Sequence, residues 1–172
     1  MLWSRISDGE IERHIPALRR FARSLVRDRD AADDLVQETL LKAVSRWTQL
    51  RKSGSLRPWL FQILYNVARA RFRKARFVEV DMPADTDREH PRTIGHSDEG
   101  IELRSALDAL AQLPEDQRIV LELVAIEGLT YEEVSHVVDV PVGTVMSRLS
   151  RGREKLRSLL GESTQTRLRR VK

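Results

Sequence analysis

The chain contains no cysteine, which excludes disulfides and thiolate metal sites and fits a reducing interior. Aromatic residues make up only 5% of the 172, too few for an aromatic-rich β-sandwich. No apolar run approaches the roughly 20 residues that a membrane span needs. The N-terminus, Met1-Leu2-Trp3-Ser4-Arg5, lacks the apolar stretch of a signal peptide. No membrane insertion and a cytoplasmic location are therefore expected. The histidines His14, His90, His96 and His136 are scattered without metal-ligand spacing, and no glycine loop could cradle a phosphate. No acid, base and nucleophile converge in the pattern, so neither an enzyme nor a bound metal or cofactor is expected.

Charge and helix formers are what the chain has. Apolar residues reach 41%, enough for a core in each half. Lys and Arg number 30 against 26 Asp and Glu, a net charge of +4. That excess is small, so where the charges fall matters more than their sum. Leu, Val, Ala, Glu and Arg dominate, as in helical proteins.

The periodicity predicts an all-α protein of two small helical domains joined by a flexible linker, the C-terminal one a helix-turn-helix. The boundaries read as 1–78, 79–100 and 101–172. In the first domain Ile11, Ile15, Leu18, Ala22 and Leu25 recur at helical spacing. Asp28-Arg29-Asp30 interrupts the pattern, and a second helix starts near Ala31 with Leu35, Thr39, Ala43 and Trp47 on one face. Ser53-Gly54-Ser55 marks a loop. Pro58 suits the first turn of a third helix, whose buried stripe is Trp59, Leu60, Ile63, Leu64, Val67 and Ala68. Both tryptophans fall on apolar stripes, which favours core positions over base stacking. From Glu79 to Gly100, prolines, glycines and acids replace the periodicity and read as a linker.

Periodicity resumes with Ile101, Leu103, Ala106, Leu107 and Leu110. Pro114 starts a helix that buries Ile119, Val120, Leu123 and Val124, and Gly128 is placed to end it with a left-handed residue. Thr130 and Glu133 form a capping box for the next helix, Asp139 occupies the turn, and Pro141 opens a last helix running to about Leu160. The basic tail Arg167-Leu168-Arg169-Arg170-Val171-Lys172 reads as frayed.

On that last helix, Val145, Leu149, Gly152, Leu156 and Leu159 share one stripe, and Thr144, Ser147, Arg148, Arg151 and Lys155 the adjacent one. Capping box, tight turn and basic stripe together point to a helix presented to the major groove. Thr144 and Ser147 stand at the end that approaches base edges. Arg148 can give two parallel hydrogen bonds to a guanine, and Arg151, Arg153, Lys155 and Arg157 are spaced to reach phosphates.

Asp33-Asp34-Leu35-Val36-Gln37-Glu38-Thr39-Leu40-Leu41-Lys42-Ala43 resembles the core-polymerase-binding helix of extracytoplasmic-function (ECF) sigma factors. Pro58-Trp59-Leu60-Phe61-Gln62-Ile63-Leu64-Tyr65-Asn66 resembles their promoter −10 helix, and Thr130 to Leu156 their −35-reading module. The resemblance implies that Asp33, Asp34, Gln37 and Glu38 dock on core RNA polymerase. It implies that Lys52 and Ser53, in the loop 50–56, help capture a flipped −10 base, at a cost of a few kcal/mol that base contacts must offset. Asn66, Arg69, Arg73 and Lys74 then meet the −10 DNA, as part of a run (Arg69, Arg71, Arg73, Lys74, Arg76) that contains no acid and suits a DNA backbone. The −35 set is Thr144, Ser147, Arg148, Arg151, Arg153 and Lys155. An anti-sigma factor and a role in stress response are implied as well. Three positions depart from the family's usual residues: Ala70 where an acid is common, Asp139 for a glycine, and Met146 for a lysine or arginine. Two other readings use the same residues: a stand-alone helix-turn-helix regulator, and a sigma-like decoy that sequesters a regulator. The first leaves the motifs of residues 33–66 unexplained, and the second leaves the two basic faces unexplained.

Overall fold

A computed structural model describes residues 10–26, 28–46, 50, 55–78 and 106–170, with side chains described as far as 75 and 161 in the last two stretches. Trp47, Lys52, Ser53, the expected linker 79–100, Ile101, Leu103 and the Arg76 side chain lie outside the described residues. Among the described residues every regular element is helical: α1 (Ile15–Leu25, preceded by a single 3-10 turn, Glu12–His14), α2 (Arg29–Ser45), α3 (Leu56–Val78), α4 (106–111), α5 (Glu115–Ala125), α6 (Tyr131–Val138) and α7 (Val142–Arg170). The chain divides into two compact units, the first holding α1 to α3 and the second the bulk of α4 to α7.

In the first unit the three helices pack on one another. α1 buries Ala17, Leu18, Phe21, Ala22 and Leu25, while Ile11 and Ile15 are only half-buried at its edge. Asp28 is the cap of α2 rather than part of an interruption. Its Oδ2 accepts from the Ala31 N–H at 2.7 Å, and the helix begins at Arg29 instead of near Ala31. Leu35, Thr39 and Ala43 are buried together with Ala32 and Val36. The Thr39 hydroxyl, wholly inside, donates to the Leu35 carbonyl at 2.7 Å, so the buried polar group is satisfied. Pro58 stands in the first turn of α3, where no N–H is required. The expected stripe of α3 is buried, and so is Phe61, which that stripe omitted. Its ring is 0% exposed and meets Phe21 edge-on with centroids 5.5 Å apart.

In the second unit α5 packs against α7. Pro114 is the residue before α5, and Glu115 and Asp116 place negative charge in its first turn, where the helix dipole favours it. Ile119, Val120, Leu121 and Leu123 are buried; Val124, expected inside, is half-buried, and Leu121 takes the inner place. The exit from α5 closes with Glu127 N–H on the Glu122 carbonyl and Leu129 N–H on the Leu123 carbonyl, each 3.0 Å. Gly128 sits between them at φ +67°, the left-handed region that glycine enters without a steric penalty. The capping box is reciprocal: Glu133 N–H donates to Thr130 Oγ1 at 3.2 Å, and Thr130 N–H donates to Glu133 Oε2 at 2.9 Å.

The turn between α6 and α7 is short and doubly tied. Ser135 Oγ donates to the Val140 carbonyl at 2.6 Å, and Val140 N–H returns to the Ser135 carbonyl at 3.2 Å. Asp139 is left-handed there, at φ 55°, a conformation that aspartate tolerates better than most residues and glycine better still. The Pro141 carbonyl then accepts from Thr144 and Val145 N–H at 2.9 and 3.2 Å to open α7. α7 buries Val145, Leu149 and Gly152, half-buries Leu156 and Leu159, and continues to Arg170, well past the expected end near Leu160. A methyl at Gly152 would stand 3.4 Å from Gln117 Cβ and 3.5 Å from Leu121 Cδ1, ordinary van der Waals contact, so α7 faces α5 here with room for an alanine.

Candidate nucleic-acid and partner interfaces

Helical spacing puts Asp30, Asp34, Gln37, Leu41 and Val44 on one exposed stripe of α2. Asp34 and Gln37 are therefore open to solvent. The other two expected contacts are engaged inside the unit. Asp33 Oδ1 lies 3.2 Å from Arg19 Nε on α1, an ion pair whose angles fall short of a hydrogen bond. Glu38 bridges two cations: Oε1 is 2.8 Å from Lys42 Nζ, and Oε2 accepts from Arg71 Nη2 at 2.8 Å and Nε at 3.1 Å. Hydrogen bonds from Lys42 and then Arg71 hold its carboxyl below the usual carboxylate range. Glu38 thus pins α2 to α3. The stripe also carries a residue that the sequence reading did not use, Leu41, which is 72% exposed. A leucine that breaks the helix's own apolar pattern was the available signal.

On α3, Asn66, Arg69, Arg73 and Lys74 are all exposed and recur at i, i+3, i+7 and i+8, so the structure gathers the four expected −10 residues on one stripe. Arg69 lies over the Tyr65 ring, 5.7 Å from its centroid, which steadies its guanidinium beside an aromatic face. Phe72, 38% exposed, stands i+7 from Tyr65 and i+3 from Arg69. It is a second overlooked residue, an aromatic at the flank of a cationic stripe, suited to stacking on an unpaired base. Arg71 points elsewhere, to Glu38.

On α7, Ser147 and Arg151 lie on the side away from the buried stripe, with exposed Ser150 between them and Thr144 one turn earlier. The Ser147 hydroxyl donates to the Thr144 carbonyl at 3.0 Å, which leaves its oxygen lone pairs as acceptors for an amino group of a base. Arg153 and Lys155 are exposed along the flanks. Arg148 is different. Only 26% of its side chain is exposed, and its Nε lies 3.1 Å from Asp116 Oδ2 in the first turn of α5. That contact occupies Nε and leaves the outer amino groups of the fork. Met146, which stands where the family usually has a lysine or arginine, is 50% exposed in the second turn of the helix.

His14 is partly buried. Desolvation, then Arg57 and Arg13, lower its pKa and favour the neutral imidazole. Among the described residues no cluster of His, Asp and Glu could hold a metal ion, and no helix is long and apolar enough to cross a membrane.

The Sigma2 domain of PhyR profile matches residues 11–65, and the Sigma-70, region 4 profile matches residues 103–156. The chain is 42% identical to the ECF RNA polymerase sigma factor EcfG of Rhodopseudomonas palustris (strain TIE-1), over 85% of this chain and 80% of that protein. Among solved structures it resembles the sigma factor RpoE of Bartonella quintana, crystallised with the anti-sigma factor NepR. The TM-score is 0.74 at 35% identity, covering 89% of this chain and 95% of that one. It also resembles CnrH in complex with the cytosolic domain of CnrY, with a TM-score of 0.63 at 29% identity, covering 88% and 85%. Two helical units matching these two profiles in this order, and a relative sharing two residues in five across most of both chains, decide the family: the chain belongs to the ECF RNA polymerase sigma factors.

Proposed function

We propose that the first unit, within 1–78, binds core RNA polymerase and the −10 element, that 79–100 tethers it, and that the second, within 101–172, reads the −35 element. The chain then acts in the cytoplasm, without a cofactor, as an initiation factor and not as a catalyst. The observation that supports this most strongly is the pair of outward stripes. One is Asn66, Arg69, Arg73 and Lys74 on α3, and the other is Thr144, Ser147, Ser150 and Arg151 on α7. Cations with nothing apolar to cover suit phosphates, and short hydroxyl side chains admit close approach to base edges. Phe72 and Tyr65 offer stacking surfaces next to the first stripe. Lys52 and Ser53 belong to the base-capturing loop in this reading.

Core polymerase is bound by the α2 stripe, through Asp34, Gln37 and Leu41, with Asp33 and Glu38 holding α2 in place from within the unit. An acid, an amide and an apolar side chain in one line suit a helical partner with a mixed surface. Because RpoE is seen with the anti-sigma factor NepR, and CnrH with the cytosolic domain of CnrY, an anti-sigma factor is proposed to hold this chain as well.

The test is in vitro transcription by core polymerase on a promoter library, with start sites mapped. The intact chain gives defined starts. Asp34→Lys combined with Leu41→Asp removes both initiation and capture of core enzyme while helicity is unchanged. If core enzyme gains no start sites from the intact chain, the reading is wrong.

A further inference from the structure

Resting on the −35 reading above, we infer that Asp116 and Arg148 form a clamp that sets the rotation of α7, so that Arg148 acts as a positioning residue and the bases are read by its outward neighbours. At about 100° per residue, Ser147 lies opposite the stripe of Val145, Leu149 and Gly152, and Arg151 is beside it. Arg148 lies only about 70° from that stripe, on the side of α5. Its guanidinium is mostly covered and is held 3.1 Å from a carboxylate on a different helix.

The stripe that α7 buries is apolar. Val145 and Leu149 are buried, and so is Gly152, on the side of Gln117 and Leu121. Such contacts are non-directional and resist rotation of a helix about its own axis only weakly. An ion pair between one named atom on each helix favours a single azimuth of α7 against α5 and supplies that resistance. Rotating α7 would displace Thr144, Ser147, Ser150 and Arg151 together. Loss of the clamp therefore lowers affinity for every −35 sequence by one factor, whereas loss of a base reader relaxes a single position.

The experiment is binding of the full chain to a −35 duplex and to all of its single-base variants, with thermal unfolding of each protein in parallel. Arg148→Ala and Asp116→Asn are each expected to weaken all duplexes about tenfold, and the double variant to be no weaker than either. Arg148→Lys keeps a cation for Asp116 but has no fork for a guanine. It should recover most of the affinity lost in Arg148→Ala, with the base preferences intact. The inference is overturned if Arg148→Ala or Arg148→Lys relaxes one base position, if Asp116→Asn binds like the unsubstituted chain, or if the losses follow the melting temperatures. Arg151→Ala separates this from the underlying reading. It should relax one position, and if it relaxes none the −35 reading itself fails, whatever the clamp variants do.

Discussion

The two units are both helical, but different chemistry holds each of them. The first is built on a large aromatic pair, Phe21 against Phe61, with charged side chains bridging its helices: Arg19 to Asp33, and Glu38 to both Lys42 and Arg71. The described core of the second is aliphatic, from Leu113 through Val145 to Leu149, with the Arg148–Asp116 ion pair between two of its helices, and the rest of its precision comes from caps and turns. The reciprocal cap at Thr130 and Glu133, the left-handed Gly128 and Asp139, and the double tie of Ser135 to Val140 are all turn devices. A unit held by bulky contacts is most sensitive to cavities. A unit held by its turns is most sensitive to the loss of one hydroxyl or one glycine.

The largest effect that would break this contrast is at Phe61. Phe61→Ala leaves a cavity against Phe21 and should cost the first unit about 3–5 kcal/mol. All three tryptophans, Trp3, Trp47 and Trp59, stand in the first half of the chain, so tryptophan fluorescence during denaturant unfolding follows that unit by itself. A fluorescence midpoint that does not move would show that the aromatic pair is not what holds it. The next effect is at the caps. Thr130→Ala removes one arm of a reciprocal box and should cost roughly 0.5–2 kcal/mol, seen in circular dichroism but not in tryptophan fluorescence. Asp28→Ala, which removes one hydrogen bond at an exposed helix start, should lie at the low end of that range and show in the fluorescence instead. Equal costs at the two caps would remove the distinction.

The smallest effect is at Glu38. Its partners are partly exposed, so Glu38→Gln should cost less than about 1 kcal/mol at neutral pH. The sign with pH follows from the lowered pKa of this carboxyl. Its contribution is complete above the ordinary carboxylate value and is lost as the pH falls through the lowered folded value. Fluorescence-detected stability of the unsubstituted chain should therefore fall more steeply across that acid window than stability of the Gln variant. Parallel curves would detach Glu38 from the α2–α3 seam.

Much of what depends on neighbours in sequence is legible without coordinates. The capping box spans four residues, Gly128 and Pro141 mark their own boundaries, and the stripes of α3 and α7 follow one helical period. Features that depend on two distant segments are not. Glu38 and Arg71 are 33 residues apart, and reading either helix alone assigns each a partner outside the chain. The same holds for Arg148, whose guanine-reading geometry is plain on a single helix until Asp116 is beside it. Phe61 was passed over because it lies between Leu60 and Ile63 at the edge of the i, i+3, i+4 pattern, although a helix enclosed by two others buries a wider arc. In the sequence Asp28 reads as an interruption, because an acid among charges looks like a break, whereas one carboxylate oxygen aimed at an N–H makes it a beginning. The extension of α7 to Arg170 carries no apolar period and left no mark of the kind that marks a buried helix.

The turn before α7 has one further consequence. Its bonds run from the Ser135 hydroxyl and the backbone of Val140, and none of them uses a side chain from the outward face of the following helix. Grammar and vocabulary are thereby separated. In the proposed −35 reading, Thr144, Met146, Ser150 or Arg151 can therefore be exchanged for new words without touching the bonds that deliver them.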